Sequence, residues 1–285
     1  MKHVKKLFVF ILAALTLCTG LSAQAADNYM ELDGLAFTLQ NGEAVIRAYN
    51  GESDKVIIPE TLLGEPVTAI GSAAFFEKDI AAVYFDSAVQ LRSIGNSAFS
   101  SCTGLKSVEL PDSVTQIEFG AFQDCAALET LSLGSGVTAI GAQSFCSCES
   151  LTTVELPEST RSIGKYAFGD CGSLRRVLIP SGVSDISASA FDDCEKLTVY
   201  CYTGSAAHAF AQAQSLRYVL LDAMLSGDAD ANGKVNVNDV TTIQRHLADV
   251  EPIWWPAVSC TDLDGDGSVT ISDATILQRR LAEFI

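Results

Sequence analysis

The chain has 285 residues, of which 48% are hydrophobic, and 35 acidic side chains outnumber 18 basic ones to give a net charge of −17. Such an apolar fraction excludes a largely disordered chain, and the length leaves room for more than one domain. The negative charge excludes nucleic acid and anionic lipid as favourable partners, because both repel an acidic surface.

The first 25 residues predict a secretory signal peptide. Three lysines lie among the first six residues, an apolar run extends from Leu7 to Leu17, and small residues around Ala25 offer a cleavage site. No later segment reaches the roughly 18 apolar residues of a membrane span. We therefore expect a secreted, extracellular protein without membrane insertion, whose mature chain has a charge of −20 after loss of three lysines.

Residues 26–64 are expected to cap one end of the structure that follows. The segments MELDGLAFTLQNGEAVIRAYNG and KVIIPETLLGEPV each predict strand pairs that are separated by glycine turns.

Residues 65–201 contain an internal repeat. Successive repeats are marked by phenylalanines 23 or 24 residues apart, at Phe75, Phe99, Phe122, Phe145, Phe168 and Phe191. Each unit, such as SIGNSAFSSCTGLKSVELPDSV, predicts a short strand, a turn glycine, a tight helical turn with the phenylalanine, and a second strand. One unit cannot bury its apolar face alone, so the units are expected to stack into a solenoid.

The second strand of each repeat predicts one buried and one exposed face. Alternation directs Val108 and Leu110 inward and Ser107 and Glu109 outward. The resulting outward row has a mixed composition that suits either a protein-binding face or plain solubility: Tyr84, Ser107, Glu109, Thr130, Ser132, Thr153, Glu155, Arg176 and Leu178.

The motif IGxxAFxxCxxLxxVxLPxxV, repeated over about 65–201, resembles the bacterial leucine-rich repeats of the BspA-like group. Glu118 and Ser187 depart from it where a turn glycine is expected, and residues 76–78 lack the first unit's cysteine. The resemblance implies a leucine-rich-repeat solenoid, a type of structure that usually binds proteins over an extended surface.

Five cysteines follow the repeat phenylalanines by three residues: Cys102, Cys125, Cys148, Cys171 and Cys194. Equivalent positions in stacked coils lie about 5 Å apart, a distance that permits disulfide bridges. A column of five cannot pair completely, and buried cysteine packs well as a small hydrophobe. We therefore favour reduced core thiols, with partial disulfides as the alternative.

After the repeats, residues 202–222 are expected to close the solenoid. The segment GSAAHAFAQAQSLRYVLLD predicts a short helix and then a strand. Residues 223–226 are expected to link this cap to a separate module at 227–285.

This last module contains two near-copies of an acidic loop that leads into a helix, GDADANGKVNVNDV and TDLDGDGSVTISDA. Calcium prefers hard oxygen ligands, which loop positions one, three, five, seven and twelve can supply, while a glycine at position six allows the sharp turn. We expect two calcium ions, held by Asp228, Asp230, Asn232, Lys234 (through its carbonyl) and Asp239, and by Asp262, Asp264, Asp266, Ser268 and Asp273.

Position twelve is aspartate rather than the glutamate of calcium-sensing EF-hands, and no convincing helix precedes either loop. The duplicated loop and helix resemble a type I dockerin, a small all-α module. The resemblance implies binding to a cohesin module of a scaffolding protein, most familiarly in cellulosomes of anaerobic cellulose degraders.

In that family, partner choice depends on loop positions ten and eleven and on the helix behind them. The corresponding residues here are Val237, Asn238, Gln244 and Arg245 in the first half, and Ile271, Ser272, Gln278, Arg279 and Arg280 in the second. Because the two sets are nearly symmetric, we hypothesise that either half can bind the cohesin. The alternative is that the arginines only solvate the helix surface.

The remaining motifs give little support for catalysis. No histidine has a nucleophile and an acid at a recognisable spacing. Glu109 and Glu155 point outward from equivalent strands, but one coil lies between theirs, so we expect them to be about 10 Å apart and not to form a catalytic pair. Trp254 and Trp255, which lie between the two loops, are expected to pack against the helices rather than bind a ligand.

The sequence therefore predicts an α+β chain: a leucine-rich-repeat solenoid followed by an all-α dockerin with two calcium loops. The expected function is non-catalytic attachment to an extracellular scaffold, with an unknown protein ligand on the solenoid. Two alternatives remain open, a polysaccharide-binding accessory subunit and a free, calcium-stabilised surface adhesin. An aromatic strip along the outward row would favour the first, and Tyr84 is its only obvious candidate.

Overall fold

The computed structural model describes residues 29–86, 89–248, 253, 257 and 260–282. The segment assigned to the signal peptide and the pair Trp254-Trp255 lie outside the described residues. Among the helices that are described, none has both the length and the apolar character that crossing a membrane requires.

A hairpin covers the first coil of the solenoid. The strands of this region are β1 (Met30–Leu32), β2 (Leu35–Gln40), β3 (Glu43–Tyr49), β4 (Lys55–Ile58), β5 (Thr61–Leu62) and β6 (Glu65–Ile70). β1, β2 and β3 pair antiparallel, and β3 then pairs in parallel with β6. The hairpin thus occupies an edge that would otherwise expose unpaired backbone groups.

Each repeat forms one coil of the solenoid with two strands. In chain order these are β7 (Ala82–Phe85), β8 (Ser93–Ile94), β9 (Ser107–Glu109), β10 (Gln116–Ile117), β11 (Thr130–Ser132), β12 (Ala139–Ile140), β13 (Thr153–Glu155), β14 (Ser162–Ile163), β15 (Arg176–Leu178), β16 (Asp185–Ile186) and β17 (Thr198–Cys201). Strands β8, β10, β12, β14 and β16 continue from β6 as one parallel sheet. Their isoleucines align from coil to coil, so the repeat period is the length of one coil.

The opposite side of the solenoid carries the outward row, and its sheet is interrupted once. Strands β4, β7, β9 and β11 form one parallel sheet, and β13, β15, β17 and β18 (Arg217–Leu220) form another. Consequently no strand pairing joins β11 to β13, although their coils remain bonded on the other side, where the N–H of Phe122 donates to Ser144 O at 2.7 Å.

The repeat phenylalanines form a continuous ladder through the core. From Phe75 to Phe191 adjacent rings are stacked, with centroids 4.7–5.3 Å apart and planes within 11° of one another. This spacing is that of neighbouring strands, so each ring sits on the equivalent ring of the next coil.

The predicted cysteine column lies beside this ladder. All five thiols are buried, and every cysteine of the described residues is free. Each Sγ donates to the carbonyl oxygen of the repeat phenylalanine in the preceding coil, at 3.0–3.4 Å. A thiol at this position therefore fills the core and satisfies a backbone acceptor.

The expected helical turn around each phenylalanine is wrong. In the first unit Ala73 and Glu77 have φ values of 55° and 56°, in the left-handed region. The N–H groups of Ala73, Phe75 and Glu77 donate to carbonyls of the next coil, at 2.7–2.9 Å. A helix would use these donors within its own turns, whereas linked β-turns direct every second one to a neighbour.

The C-terminal cap consists of α1 (Ala206–Ala213) and β18. Ser205 begins the helix by accepting the N–H of His208 at 3.1 Å. The ring of Phe210 is tilted by 56° against Phe191, which ends the parallel stack. Strand β18 pairs in parallel with β17 and completes that sheet.

A second apolar core holds the last module. The helices whose bounds the structure describes here are α2 (Val237–Leu247) and α3 (Ile271–Ala282), which bury Val240 and Ile243 against Ala274 and Leu277. The chain is also helical at Cys260 and Thr261, directly before Asp262, so the expectation that no helix precedes the second loop is wrong.

The outward row also differs from expectation at one end. Leu178 is 4% exposed rather than a surface residue, while Glu109 and Glu155 are exposed. Alternation within a strand does not predict this burial.

Candidate functional site

The first acidic loop is held in shape by its own backbone. Asp228 is fully buried and accepts the N–H groups of Asn232 at 3.0 Å and Gly233 at 2.8 Å. Asp239, also buried, accepts the N–H of Asn236 at 2.7 Å. One carboxylate oxygen from each of Asp228, Asp230 and Asp239 lies within 4.8 Å of the others. The loop therefore directs three acidic oxygens towards one point.

The second loop repeats this arrangement. Asp262 accepts the N–H groups of Asp266 at 3.2 Å and Gly267 at 2.9 Å, and Asp273 accepts the N–H of Thr270 at 2.7 Å. Carboxylate oxygens of Asp262, Asp264 and Asp273 also lie within 4.8 Å of one another.

The other predicted ligands lie at the exposed tips of the loops. Asn232 accepts the N–H of Lys234, and Asp266 accepts the N–H of Ser268, both at 2.9 Å. The glycines at position six, Gly233 and Gly267, have φ of 81° and 89°, a conformation that side chains disfavour. These oxygen-rich loops suit a hard cation such as calcium.

The electrostatics of the loops favour a bound cation. Burial raises the pKa of Asp228, and the nearby carboxylates of Asp239 and Asp230 raise it further. Burial likewise raises the pKa of Asp239. For Asp273 burial acts in the same direction, but the N–H groups of Thr270, Leu263 and Asp264 outweigh it and lower the pKa. A cation would relieve the repulsion in both loops.

Each loop leads directly into an exposed helix surface. Asp239 is both a predicted ligand and part of the capping box of α2, where Asn236 is the N-cap. The first helical residues, Val237 and Ile271, are 69% and 67% exposed. The remaining residues expected to contact a partner are exposed as well: Asn238, Gln244, Arg245, Ser272, Gln278, Arg279 and Arg280.

Sequence reasoning missed a connection between the two halves. The thiol of Cys260, which lies outside the cysteine column, donates to Asp228 O at 3.3 Å. The N–H of Gly227 donates in return to Cys260 O at 2.7 Å. A single cysteine without a repeat partner carries no sequence signal for this role.

The outward face of the solenoid has two shallow grooves. One, of about 590 Å³, is lined by Glu109 and Asp112, and the other, of about 610 Å³, by Glu129 and Glu155. The two grooves share Ser132 and Leu133. Glu109 and Glu155 thus lie in separate grooves and do not form a carboxylate pair around one cleft.

Comparisons with known proteins assign both parts of the chain. The model of the BspA type leucine rich repeat region matches residues 68–198 in six copies, and the dockerin type I domain matches residues 226–282. Both families are non-catalytic, and type I dockerins bind calcium and cohesins. No curated protein gives a significant match to the chain.

Two solved structures are similar to the solenoid. A leucine-rich repeat protein from T. pallidum shares 32% identity over 60% of this chain and 80% of its own, with a TM-score of 0.55. A leucine-rich repeat protein from Bacteroides ovatus shares 27% identity over 60% of this chain and 46% of its own, with a TM-score of 0.53.

Proposed function

Because the chain belongs to the bacterial leucine-rich-repeat proteins of the BspA type and carries a type I dockerin domain, we propose that it is a secreted, non-catalytic component of a scaffold-borne complex. The dockerin attaches it to a cohesin of an extracellular scaffoldin, as in a cellulosome. Secretion rests on the signal-like segment 1–25.

One observation carries this proposal: two calcium-type loops each end in a helix whose first residue is a large, exposed apolar side chain. Val237 and Ile271 stand at equivalent places, and Arg245 and Arg279 follow at equivalent places on the exposed helix surfaces. Exposed apolar groups beside arginines are typical of protein-binding surfaces. Two calcium ions would fix the loops from which both surfaces extend.

The duplication also supports two binding modes. The surface around Val237 and the surface around Ile271 are both open, so either half can face the cohesin, in orientations related by a half-turn. Losing one of two equivalent modes halves the binding-competent population, which corresponds to about a twofold loss of affinity.

Charge reversal tests both ideas with the full chain and a panel of purified type I cohesins. Arg245→Glu and Arg279→Glu should each weaken calcium-dependent binding by about twofold, and the double variant should abolish it. The control is Lys165→Glu, which reverses the charge of an exposed residue on the solenoid and should leave cohesin binding unchanged. If one single variant abolishes binding and the other has no effect, the dual mode is wrong; if no cohesin binds with calcium present, attachment itself is wrong.

The proposal extends to a protein ligand on the outward face of the solenoid. The acids that line its grooves, among them Glu109, Glu129 and Glu155, complement a cationic protein surface. In the predicted outward row Tyr84 is the one aromatic residue, at 53% exposure, which is too little for a sugar-stacking strip. Retention of plant-wall glycans rather than proteins by the immobilised chain would instead favour the polysaccharide-binding alternative.

A further inference from the structure

The outward row continues beyond the predicted residues to Tyr200. In the strand register Glu155 lies beside Leu178, and Leu178 lies beside Tyr200. Alternation therefore directs Tyr200 away from the solenoid core. Tyr200 is nevertheless 6% exposed, whereas Tyr84 at the opposite end of the array is 53% exposed. Something outside the repeat must cover Tyr200.

The covering structure is the last module. Tyr200 belongs to the same apolar core as Ala229 and Ala231, which occupy positions two and four of the first acidic loop. Val219, which lies in β18 beside Tyr200, and Leu221, which directly follows β18, pack against this core too. The first loop is thus folded onto the end of the solenoid.

The electrostatic environment of the Tyr200 hydroxyl includes the carboxylates of the first loop. Burial is the main cause that raises the pKa of its hydroxyl, and the charges of Asp228 and Asp230 add to the rise. The guanidinium of Arg176 acts in the opposite direction and hydrogen-bonds to the tyrosine. The geometric support is the packing: Tyr200 lies in the same apolar core as Ala229 and Ala231, the loop residues on either side of the predicted ligand Asp230.

The second loop has a different environment. Asp228 is fully buried, but Asp262, in the same position of the second loop, is half-buried. The carboxylates that act on Tyr200 are those of the first loop, Asp228 and Asp230. Two loops of nearly the same sequence are consequently supported in unequal ways.

We propose that Tyr200, a solenoid residue, is a positioning residue for the first calcium loop, so that the two calcium sites are unequal and the first is coupled to the last coil. Residues that orient metal ligands from behind affect metal affinity strongly. Coupling is reciprocal, so calcium at the first loop must also stabilise the end of the solenoid. This inference rests on the calcium binding proposed above.

Calcium titration of the full chain by calorimetry, after removal of metal, tests the assignment. Tyr200→Ala should weaken one of two binding events by about tenfold and leave the other unchanged. Tyr200→Phe keeps the ring and should restore most of the affinity. Tyr84→Ala, at the far end of the row, should have no effect on either event. In a background with Asp228→Ala and Asp230→Ala, which removes the first site, Tyr200→Ala should have no effect on the calcium affinity of the remaining site.

The outcomes separate the two proposals. If the unmodified chain binds no calcium, the proposed function fails. If two ions bind and Tyr200→Ala changes neither affinity, the positioning role is wrong. It is also wrong if the variant has an unchanged circular dichroism spectrum but both affinities change equally.

Hydrogen exchange of the unmodified chain gives a second test, independent of any variant that fails to fold. Chelation should increase exchange in β18 (Arg217–Leu220) and leave the coil around Phe122 protected. Equal protection of β18 with and without calcium would overturn the coupling.

Discussion

At the scale of single residues, the repeat is built from side chains that satisfy a neighbouring coil as well as their own. Cys125 fills the core and donates to Phe99 O at 3.2 Å, in the coil before it. Cys102 does the same with Phe75 O at 3.0 Å. Because every coil offers an equivalent acceptor, a small apolar residue with one weak donor suits this position throughout the array.

Buried thiols predict that the solenoid loses stability at alkaline pH. Burial raises the pKa of Cys102 to about 12 and that of Cys201 to about 11. In the unfolded chain cysteine ionises near pH 8.5, so the stabilisation is complete below that pH and falls as the pH rises towards the folded values. Each such thiol should lower the free energy of unfolding by about 1.4 kcal/mol per pH unit in this window.

Denaturant unfolding at about pH 8 and about pH 10, under reducing conditions, measures this loss. The variant Cys102→Ala should show a smaller decrease between the two pH values, which separates the thiols from other groups that ionise. If the free energy of unfolding fell equally between the two pH values in the variant and the unmodified chain, the buried thiol of Cys102 would not be a cause of the alkaline loss.

At the scale of elements, close stacking of the coils explains the turn glycines better than backbone conformation does. Neither Gly95 nor Gly141 has a positive φ. A Cβ atom at Gly95 would lie 2.8 Å from Ile70 O, and one at Gly141 would lie 2.5 Å from Ile117 O. Both contacts are with backbone of the preceding coil, which must shift to admit a side chain at these two positions.

A matched pair of glycine substitutions tests this explanation. Gly141→Ala should destabilise the solenoid by about 1–3 kcal/mol, because the added methyl group overpacks a rigid contact. Gly172→Ala is the control, since its Cβ would meet nothing within 4 Å and its φ is not positive. It should be neutral or slightly stabilising. Similar denaturation midpoints for the two variants would show that coil spacing does not require glycine.

At the scale of the whole molecule, two apolar cores meet at one shared boundary. The first runs through the coils along the phenylalanine ladder, and the second holds α2 and α3 (Ile271–Ala282) together with Tyr200. The acidic loops belong to the second core, because Ala229 and Ala231 of the first loop and Leu263 and Val269 of the second pack there. Calcium should therefore stabilise one core directly and the other only where they touch.

Scanning calorimetry of the full chain should show two transitions, of which the lower depends strongly on calcium and the upper only weakly. Chelation removes the stabilisation that bound metal supplies to the acidic loops and their helices. Far-UV circular dichroism at the same temperatures should assign the loss of helix to the lower transition. A single transition that moves as a whole with calcium would mean that the two cores unfold together.

The local features of this fold follow from sequence because they repeat or have fixed spacing. The phenylalanine period predicts the coil, the outward direction of Glu109 follows from alternation, and the acidic loops follow from ligand spacing. Their roles as calcium and cohesin contacts stay predictions, although the structure brings three carboxylates of each loop together.

What a side chain packs against is decided only in three dimensions. The sequence by itself determined the solenoid and the duplicated loops, because periodicity and spacing are properties of the chain. Only the tertiary structure decided the linked β-turns, the interruption between β11 (Thr130–Ser132) and β13 (Thr153–Glu155), and the burial of Leu178 and Tyr200. The physical reason is that hydrogen bonds between coils and contacts between modules join residues whose distance along the chain carries no periodic signal.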